Sequence, residues 1–260
     1  MPHRPQPVST APRLLVVDLL RGVAMVWMTG FHFCFDLQHA GYLKANFYAD
    51  PFWTLQRIAI VSLFVFCAGL GQAIAVEQSQ DWPRFWRRWR QIAGCALLVT
   101  VGSWFMFPHS FIYFGVLHGL ALMLIVARRL AGAGRSLWWL GGIALVLPWV
   151  APFVHATVPA LEFLNERSFN WLGLISRKPV TEDYVPLFPW LGVMCFGLAT
   201  GQRLLRSHAF GLLRWGEALS QGKLGAPVRG LAWMGRWSLT YYMLHQPVLL
   251  GCLALVALLR

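Results

Sequence analysis

The chain has 260 residues, of which 57% are hydrophobic and 12% are charged. An ordinary soluble domain is about 45–50% apolar and about 25% charged, so this composition excludes a water-soluble fold. The formal net charge of +12 does not indicate nucleic acid as a partner, because the Lys and Arg residues lie in short runs between apolar blocks. The positive-inside rule and anionic lipid explain that placement better.

Seven apolar segments approach the length of about 20 residues that a membrane-spanning helix needs. They cover residues 14–37, 52–76, 92–107, 111–127, 137–154, 185–201 and 238–259. The third and fourth are separated only by Pro108, His109 and Ser110, which predicts a tight helical hairpin. No polar linker divides the segments into two folding units. We therefore predict an all-α transmembrane bundle of about seven helices, with a short tail at residues 1–13 and one domain at residues 14–260.

The positions of the positive charges predict the orientation of this bundle. Basic residues concentrate in the tail and in the second, fourth and sixth loops, whereas the other loops hold few or balance them with acids. Short cytoplasmic loops retain Lys and Arg, so the N-terminus is expected in the cytoplasm and the C-terminus outside. The basic residues concerned are Arg4, Arg13, Arg84, Arg87, Arg88, Arg90, Arg128, Arg129, Arg135, Arg203, Arg206, Arg214, Lys223, Arg229 and Arg236.

The second of these loops contains the sequence DWPRFWRRWR at residues 81–90, which interleaves Trp with Arg. It fits an amphipathic segment in the inner headgroup region or, equally, a loop with interfacial aromatic residues. The spacings Gly115 to Gly119 and Gly197 to Gly201 give GxxxG patterns, which indicate close packing of helices.

Ionisable residues inside the first segment need a partner or a function, because each costs about 2.5–3.5 kcal/mol at the bilayer centre on insertion scales. Asp18 and Arg21 are three residues apart and can pair on one helix face, as a structural ion pair or as part of a site. His32 and Asp36 are four apart, so they stack about 6 Å from each other along the axis. A carboxylate so placed can hold one imidazole nitrogen as N–H and leave the other as a base. The alternative is a hydrogen-bonded interfacial pair.

Two further histidines, His118 in the fourth segment and His245 in the seventh, are expected near the middle of the membrane. Single histidines in helices are packed and hydrogen-bonded more often than catalytic, although membrane depth favours a function.

The sequence TEDYVPLFPW at residues 181–190 leads into the sixth segment. Thr181 or Asp183 could cap this helix, and a plain capped helix start is one interpretation. The other interpretation places Asp183 and Tyr184 at the same outer depth as His32 and Asp36, where Arg57 could join them.

Motifs of several enzyme classes are absent. The sequence has no P-loop, GxSxG, HExxH or dinucleotide fingerprint. Its five cysteines fall inside apolar stretches without a CxxC pattern, so we expect free buried thiols and no metal site. They are Cys34, Cys67, Cys95, Cys195 and Cys252.

Three stretches resemble a known family: RLLVVDLLRGVAMVWMTGFHFCFDL (13–37), FIYFGVLHGLAL (111–122) and DYVPLFPWLGVMCFGLATG (183–201). They are similar, in the same order, to bacterial relatives of the catalytic domain of heparan-alpha-glucosaminide N-acetyltransferase. The C-terminal stretch WMGRWSLTYYMLHQPVLL (233–250) is similar to the last helices of wider membrane acyltransferase groups.

The resemblance implies a multi-pass enzyme of the bacterial inner membrane that transfers an acetyl group from cytoplasmic acetyl-CoA to an amine or hydroxyl of an extracytoplasmic glycan. Acetyl-CoA is then a substrate, with no permanently bound cofactor. By motif, the catalytic residues would be His32, Asp36 and Asp183, and the residues that bind acetyl-CoA would be Asp18, Arg21 and His118. Residues for the acceptor would be Arg57, Tyr184, Trp190 and His245.

Several alternatives stay open. In the lysosomal enzyme of this family the essential histidine belongs to the first extracytoplasmic loop, which makes His39 an alternative to His32. The polar residues could instead form the path of a small transporter, or the chain could be a lipid-interacting scaffold. A family member that has lost its activity is a third hypothesis. The sequence does not decide the oligomeric state, and a homo-oligomer is one option.

Overall fold

The computed structural model describes residues 14–206, 211 and 215–259. The predicted tail, with Arg4 and Arg13, and Arg214 of the sixth loop lie outside the described residues. The described part of the chain is all-α, as predicted, and contains no strand. Its helices are α1 (Leu15–His39), α2 (Pro51–Glu77), α3 (Trp82–Met106), α4 (Val116–Leu130), α5 (Ser136–Thr157), α6 (Leu187–Arg206), α7 (Trp215–Gln221), α8 (Gly225–Arg236) and α9 (Ser238–Leu258).

Five helices within the described ranges are long and apolar enough to cross a membrane: α1, α2, α4 with its following turn, α5 and α9. The other two predicted spans correspond to α3 and α6. Basic residues occupy the first turns of α3, and glycines and polar residues dilute the apolar sequence of α6. The chain is therefore an integral membrane protein, while the count of seven spans and the cytoplasmic N-terminus stay predictions.

Helix α3 begins ten residues before the predicted boundary at residue 92. The side chain of Asp81 caps it by accepting a hydrogen bond from the amide of Arg84, and Pro83 occupies the first turn, where a missing N–H costs nothing. The Trp- and Arg-rich stretch at 81–90 is thus the helical start of α3 and not a loop.

Helix α4 begins at Val116, five residues after the predicted start at 111. The residues before it are extended, because they pair with the chain that leads into α6: Phe114 and Tyr184 form an isolated parallel β-bridge, and Glu182 N–H donates to Ser110 O. The connection from α3 to α4 is therefore longer than a tight hairpin, contrary to the prediction.

Helices α2 and α6 form the centre of the bundle. A Cβ on Gly69 would run into the carbonyl oxygen of Met194, and one on Gly197 would run into that of Phe66. Such close backbones need glycine, so the predicted packing role of the Gly197 to Gly201 pattern is confirmed. Around this contact lies the largest apolar core, whose fully buried side chains include Val65, Met194 and Leu198.

Helix α8 lies within the predicted sixth loop and packs closely against α1. A Cβ on Gly22 would overlap the carbonyl oxygen of Leu231, and one on Gly235 would overlap that of Asp18. The chain then turns at Trp237 into α9. This contact fixes where α9 begins relative to α1, and so determines which residues of α9 meet the polar face of α1.

Candidate active site

Six residues of α1, at alternating spacings of four and three, lie on one face of the helix and include ionisable and small residues. These are Asp18, Gly22, Met25, Thr29, His32 and Asp36. Residues with this spacing share one side of a helix. Helix α9 runs parallel to α1 along this side, because three polar contacts advance together along both helices. They are Thr29 with Tyr241, His32 with His245, and Asp36 with Gln246.

The central contact joins His32 Nδ1 to His245 Nε2 at 2.9 Å. The other nitrogen of His245, Nδ1, lies 2.7 Å from the backbone carbonyl oxygen of Tyr242. A carbonyl only accepts, so His245 Nδ1 carries the proton and Nε2 of a neutral ring is an acceptor. His32 Nδ1–H then donates to it. This leaves His32 Nε2 with a free lone pair, as a general base requires.

The structure corrects the expected partner of His32. Asp36 is 4% exposed and accepts a hydrogen bond from Gln246 Nε2 at 2.8 Å, while its second oxygen has no hydrogen-bond partner. The role assigned to Asp36, fixing the tautomer of His32, is performed by His245. Because His245 touches His32, both lie at one depth, whereas the sequence placed one in the outer leaflet and the other at the middle.

Two residues of the contact between α1 and α9, Thr29 and Tyr241, were not identified from the sequence. The hydroxyl of Thr29 donates to the carbonyl oxygen of Met25, so the Tyr241 hydroxyl donates to Thr29 Oγ1 at 2.8 Å. The repeat of four and three along α1 could have revealed Thr29, and the spacing of four to His245 could have revealed Tyr241.

Arg21 lies beside the same face of α1, toward its N-terminal end. Its Nη1 is 3.6 Å from the carboxylate of Asp18, and its Nη2 donates to the carbonyl oxygen of Cys67 at 3.4 Å. A Cβ on Gly71 would lie 2.8 Å from the guanidinium, so glycine at that position leaves room for Arg21. The predicted ion pair is present, and Arg21 keeps donors for a further group.

Asp183 caps α4 from a distant part of the chain. Its Oδ2 accepts a hydrogen bond from the first amide of the helix, that of Val116, at 2.8 Å. Burial raises the pKa of this carboxyl group, and hydrogen bonds from the backbone of Val116 and Tyr184 and the charge of Arg57 oppose the rise. Asp183 thus holds α4 rather than starting α6, which begins at Leu187.

His118 lies in the first turn of α4, next to the Asp183 cap, and not in the middle of a span. Its Nδ1 accepts from the amide of Gly115 at 3.3 Å, and its Nε2 is 3.0 Å from Thr100 Oγ1. The Thr100 hydroxyl donates to the carbonyl of Ile112, so it accepts from His118 Nε2–H. Both ring nitrogens are therefore used in holding the α3–α4 connection.

The other residues expected to bind an acceptor lie near the start of α6 and α2. The Tyr184 hydroxyl donates to the carbonyl oxygen of Asn170, and Trp190 packs against the main core. Arg57 is half-buried and close enough to Asp183 and Lys178 for its charge to act on both.

Tyr242 connects the two groups of residues. Its ring centroid is 5.6 Å from that of His245, and the charge of Asp183 acts on its hydroxyl. The structure therefore brings His32, His245 and Asp36 together, places Asp183 beyond Tyr242, and leaves Arg21 further along α1. Within the described residues no cluster of three or more His, Cys, Asp or Glu could hold a metal ion.

Comparison with known proteins agrees with the resemblance seen in the sequence. The family model described as heparan-alpha-glucosaminide N-acetyltransferase, catalytic, matches residues 13–247. No curated protein and no solved structure matches the chain at a significant level. The matched range contains the polar face of α1 and its partners on α9 as far as Gln246. The chain belongs to the heparan-alpha-glucosaminide N-acetyltransferase catalytic-domain family and is, in its general class, a membrane acetyltransferase.

Proposed function

We propose that this protein transfers an acetyl group from cytoplasmic acetyl-CoA to an amine or hydroxyl of an extracytoplasmic glycan, in a bacterial inner membrane. The observation that carries this proposal is the hydrogen bond between His32 and His245, which leaves His32 Nε2 as a base within a membrane-spanning helix.

In this mechanism His32 Nε2 removes the proton of the acceptor amine or hydroxyl as the acceptor atom bonds to the thioester carbonyl carbon. The carbon–sulfur bond then breaks, and the departing thiolate takes the proton from His32 Nε2–H to give the free thiol of CoA. While His32 is an imidazolium, its Nδ1–H donates to His245, and the Asp36 carboxylate one turn away stabilises the positive charge. A second route has His32 Nε2 attack the carbonyl carbon and expel CoA as the thiolate. The acceptor then takes the acetyl group from the imidazole, and the proton that the acceptor loses passes through the freed His32 Nε2 to the thiolate.

The donor would approach from the Arg21 end of α1. Arg21 and His32 are eleven residues apart, which places them on nearly the same face and roughly 16 Å apart along the axis. In this proposal Arg21, held by Asp18, binds a phosphate of CoA, and the pantetheine arm extends along α1 to His32. The contacts of His118 favour a structural role, so it would support this path only indirectly.

The acceptor would approach from the opposite end of α1. The loop after α1 contacts the chain before α6 there, since the Tyr48 hydroxyl donates to Glu182 at 3.4 Å and Lys178 lies 5.7 Å from the Tyr48 ring centroid. In this proposal Arg57 and Tyr184 line the acceptor path, with Trp190 behind them. Asp183 would act by holding α4 and Tyr242 in place.

The test uses the full chain in nanodiscs, with acetyl-CoA as donor and methyl glucosaminide as acceptor, and measures the acetylated product. We expect His32→Ala to lower product formation by about 1,000-fold and His39→Ala, on the exposed end of α1, to retain it. Loss of activity in His39→Ala but not in His32→Ala would assign the base to His39.

The transporter hypothesis gives a different result. It predicts proton-coupled uptake of solute into vesicles that persists when a non-hydrolysable CoA analogue is saturating. That result, together with no CoA-dependent product, would overturn the proposed function.

A further inference from the structure

A cavity of about 450 Å³ lies between α1 and the α8–α9 corner, against the candidate base pair. Its volume is in the range of small-molecule sites, about 300–1,000 Å³. His245 and Tyr241 form part of its wall, and apolar side chains, among them Trp237, Leu244 and Val248, form most of the rest. The cavity therefore reaches the site through His245, which contacts His32, although nothing in the proposed mechanism uses it.

The cavity opens sideways, toward the surface that faces lipid. Trp237, Leu244 and Val248 are 53%, 56% and 58% exposed, and they belong to α9 or to its N-cap. Helix α9 is a membrane-span candidate that packs mainly against α1. A ligand would therefore enter this cavity from the bilayer rather than from water on either side.

The chemistry of the lining selects a hydrocarbon. None of the residues that line the cavity is charged, and its polar side chains are limited to Thr29, Thr240, Tyr241 and His245. The hydroxyls of Thr29 and Tyr241 already bond to each other. The phosphates of CoA would find no cation here, and a second polar ligand would find few partners, whereas an alkyl or isoprenoid chain needs none.

The cavity runs along α9, and its two ends differ in polarity. From Trp237 to Leu249 it follows α9 for roughly 18 Å. Toward the Leu249 end His245 lines the wall, and the hydrogen-bonded pair of Gln246 and Asp36 lies next along the two helices, beyond the lining. A chain lying along α9 would thus have its apolar part against Trp237 and Leu244. Its polar end would lie beside the His32–His245 pair.

We infer that the acetyl acceptor is an amphiphile, a sugar carried on a long hydrocarbon chain, and that the cavity along α9 binds this chain and so delivers the sugar to His32. This inference rests on the proposed function, because it names the class of acceptor for the same site. It excludes a free sugar as the preferred substrate. The donor does not fit the cavity, because the phosphates of CoA would find no cation there and the amides of its pantetheine arm would find few partners.

The first experiment measures binding without catalysis. The full chain in nanodiscs is labelled with hexadecyl glucosaminide that carries a photoreactive diazirine at the end of its chain, and the labelled peptides are mapped by mass spectrometry. We expect labelling between Trp237 and Leu249, competed by hexadecyl glucosaminide and not by phosphatidylcholine. Equal competition by phosphatidylcholine, even labelling of all helices, or crosslinks that show a second copy seated on α9 would overturn the inference.

Variants distinguish the cavity from ordinary lipid contact. Leu244→Trp and Val248→Trp each fill the cavity from one side, and we expect labelling to fall about tenfold in both. Leu255→Trp makes the same change on an exposed part of α9 outside the cavity and should label as the wild type does. Thermal unfolding of each variant confirms that it folds, and labelling that survives in both folded cavity variants refutes the binding site.

A second readout joins the cavity to the reaction. The ratio of kcat/KM for hexadecyl glucosaminide to that for methyl glucosaminide should fall in Leu244→Trp and stay unchanged in Leu255→Trp. If the wild type binds the probe as described but acetylates neither acceptor, the proposed function fails and the binding site stands. If it acetylates both equally well, the proposed function stands and the inference fails.

Discussion

The imidazole rings of His32 and His245 are joined by a 2.9 Å hydrogen bond across 213 residues of sequence. Each ring alone resembles a packed histidine on an apolar helix. Together they form a chain of donors, from His32 through His245 to the carbonyl of Tyr242, that fixes both tautomers. The contact also aligns α1 and α9 in parallel, as the first and last helices of a seven-span bundle would be.

Removal of His245 should impair the reaction without preventing folding. In His245→Ala the Nδ1 proton of His32 loses its acceptor and the tautomer is no longer fixed, so we expect kcat to fall by about 100-fold or more while KM for acetyl-CoA changes little. The His32→Ala/His245→Ala double variant should be no worse than His32→Ala alone, because the two residues act as a unit. Additive losses in steady-state kinetics would contradict the paired role.

Asp183 should be needed more for stability than for chemistry. Because its carboxylate caps α4 at Val116, Asp183→Ala should lower the free energy of unfolding by about 1–2 kcal/mol. Asp183→Asn keeps an accepting oxygen and should retain most of the stability and activity. For each variant, stability is measured by thermal unfolding in detergent and activity by acetyl transfer. A folded but inactive Asp183→Asn would instead show that the charge takes part in catalysis.

The contact between α1 and α8 should tolerate no added methyl group. Gly22→Ala and Gly235→Ala place a Cβ against backbone carbonyl oxygens, and we expect each to cost about 1–3 kcal/mol of stability. Gly30→Ala on the same helix α1 has no atom within 4 Å of the new Cβ, so it should not destabilise the protein and should gain up to about 1 kcal/mol from the helix preference for alanine. Equal melting temperatures for all three variants would refute this account of the contact.

A substitution at Gly71 tests the role of Arg21 without replacing the arginine itself. A Cβ at this position lies 2.8 Å from the guanidinium, so Gly71→Ala should displace it. If Arg21 binds a phosphate of CoA, KM for acetyl-CoA should rise about tenfold in Arg21→Gln and by less in Gly71→Ala, with kcat largely retained. Gly94→Ala, where the added Cβ meets open space, is the matched control. An unchanged KM in Arg21→Gln would remove Arg21 from the donor site.

The sequence by itself determined the class of this protein, because length and apolarity of segments are local properties that a bilayer requires. It also determined the family, through short motifs such as those around Asp18 and His118. Predicted boundaries were wrong where a residue distant in sequence decides them. Helix α4 starts at Val116 because the side chain of Asp183 caps it, and no local pattern near Phe111 indicates that.

Only the tertiary structure decided the partners of the costly polar residues. The sequence paired His32 with Asp36 because neighbours on one helix are all that periodicity can show. Which helix lies against that face depends on the close approach of α8 at Gly22 and Gly235, a contact set by backbone shape rather than by residue pattern. That approach brings His245 to His32 and places the cavity beside them. The composition thus predicts a membrane protein, whereas the packing of α1 against α8 and α9 creates its candidate active site.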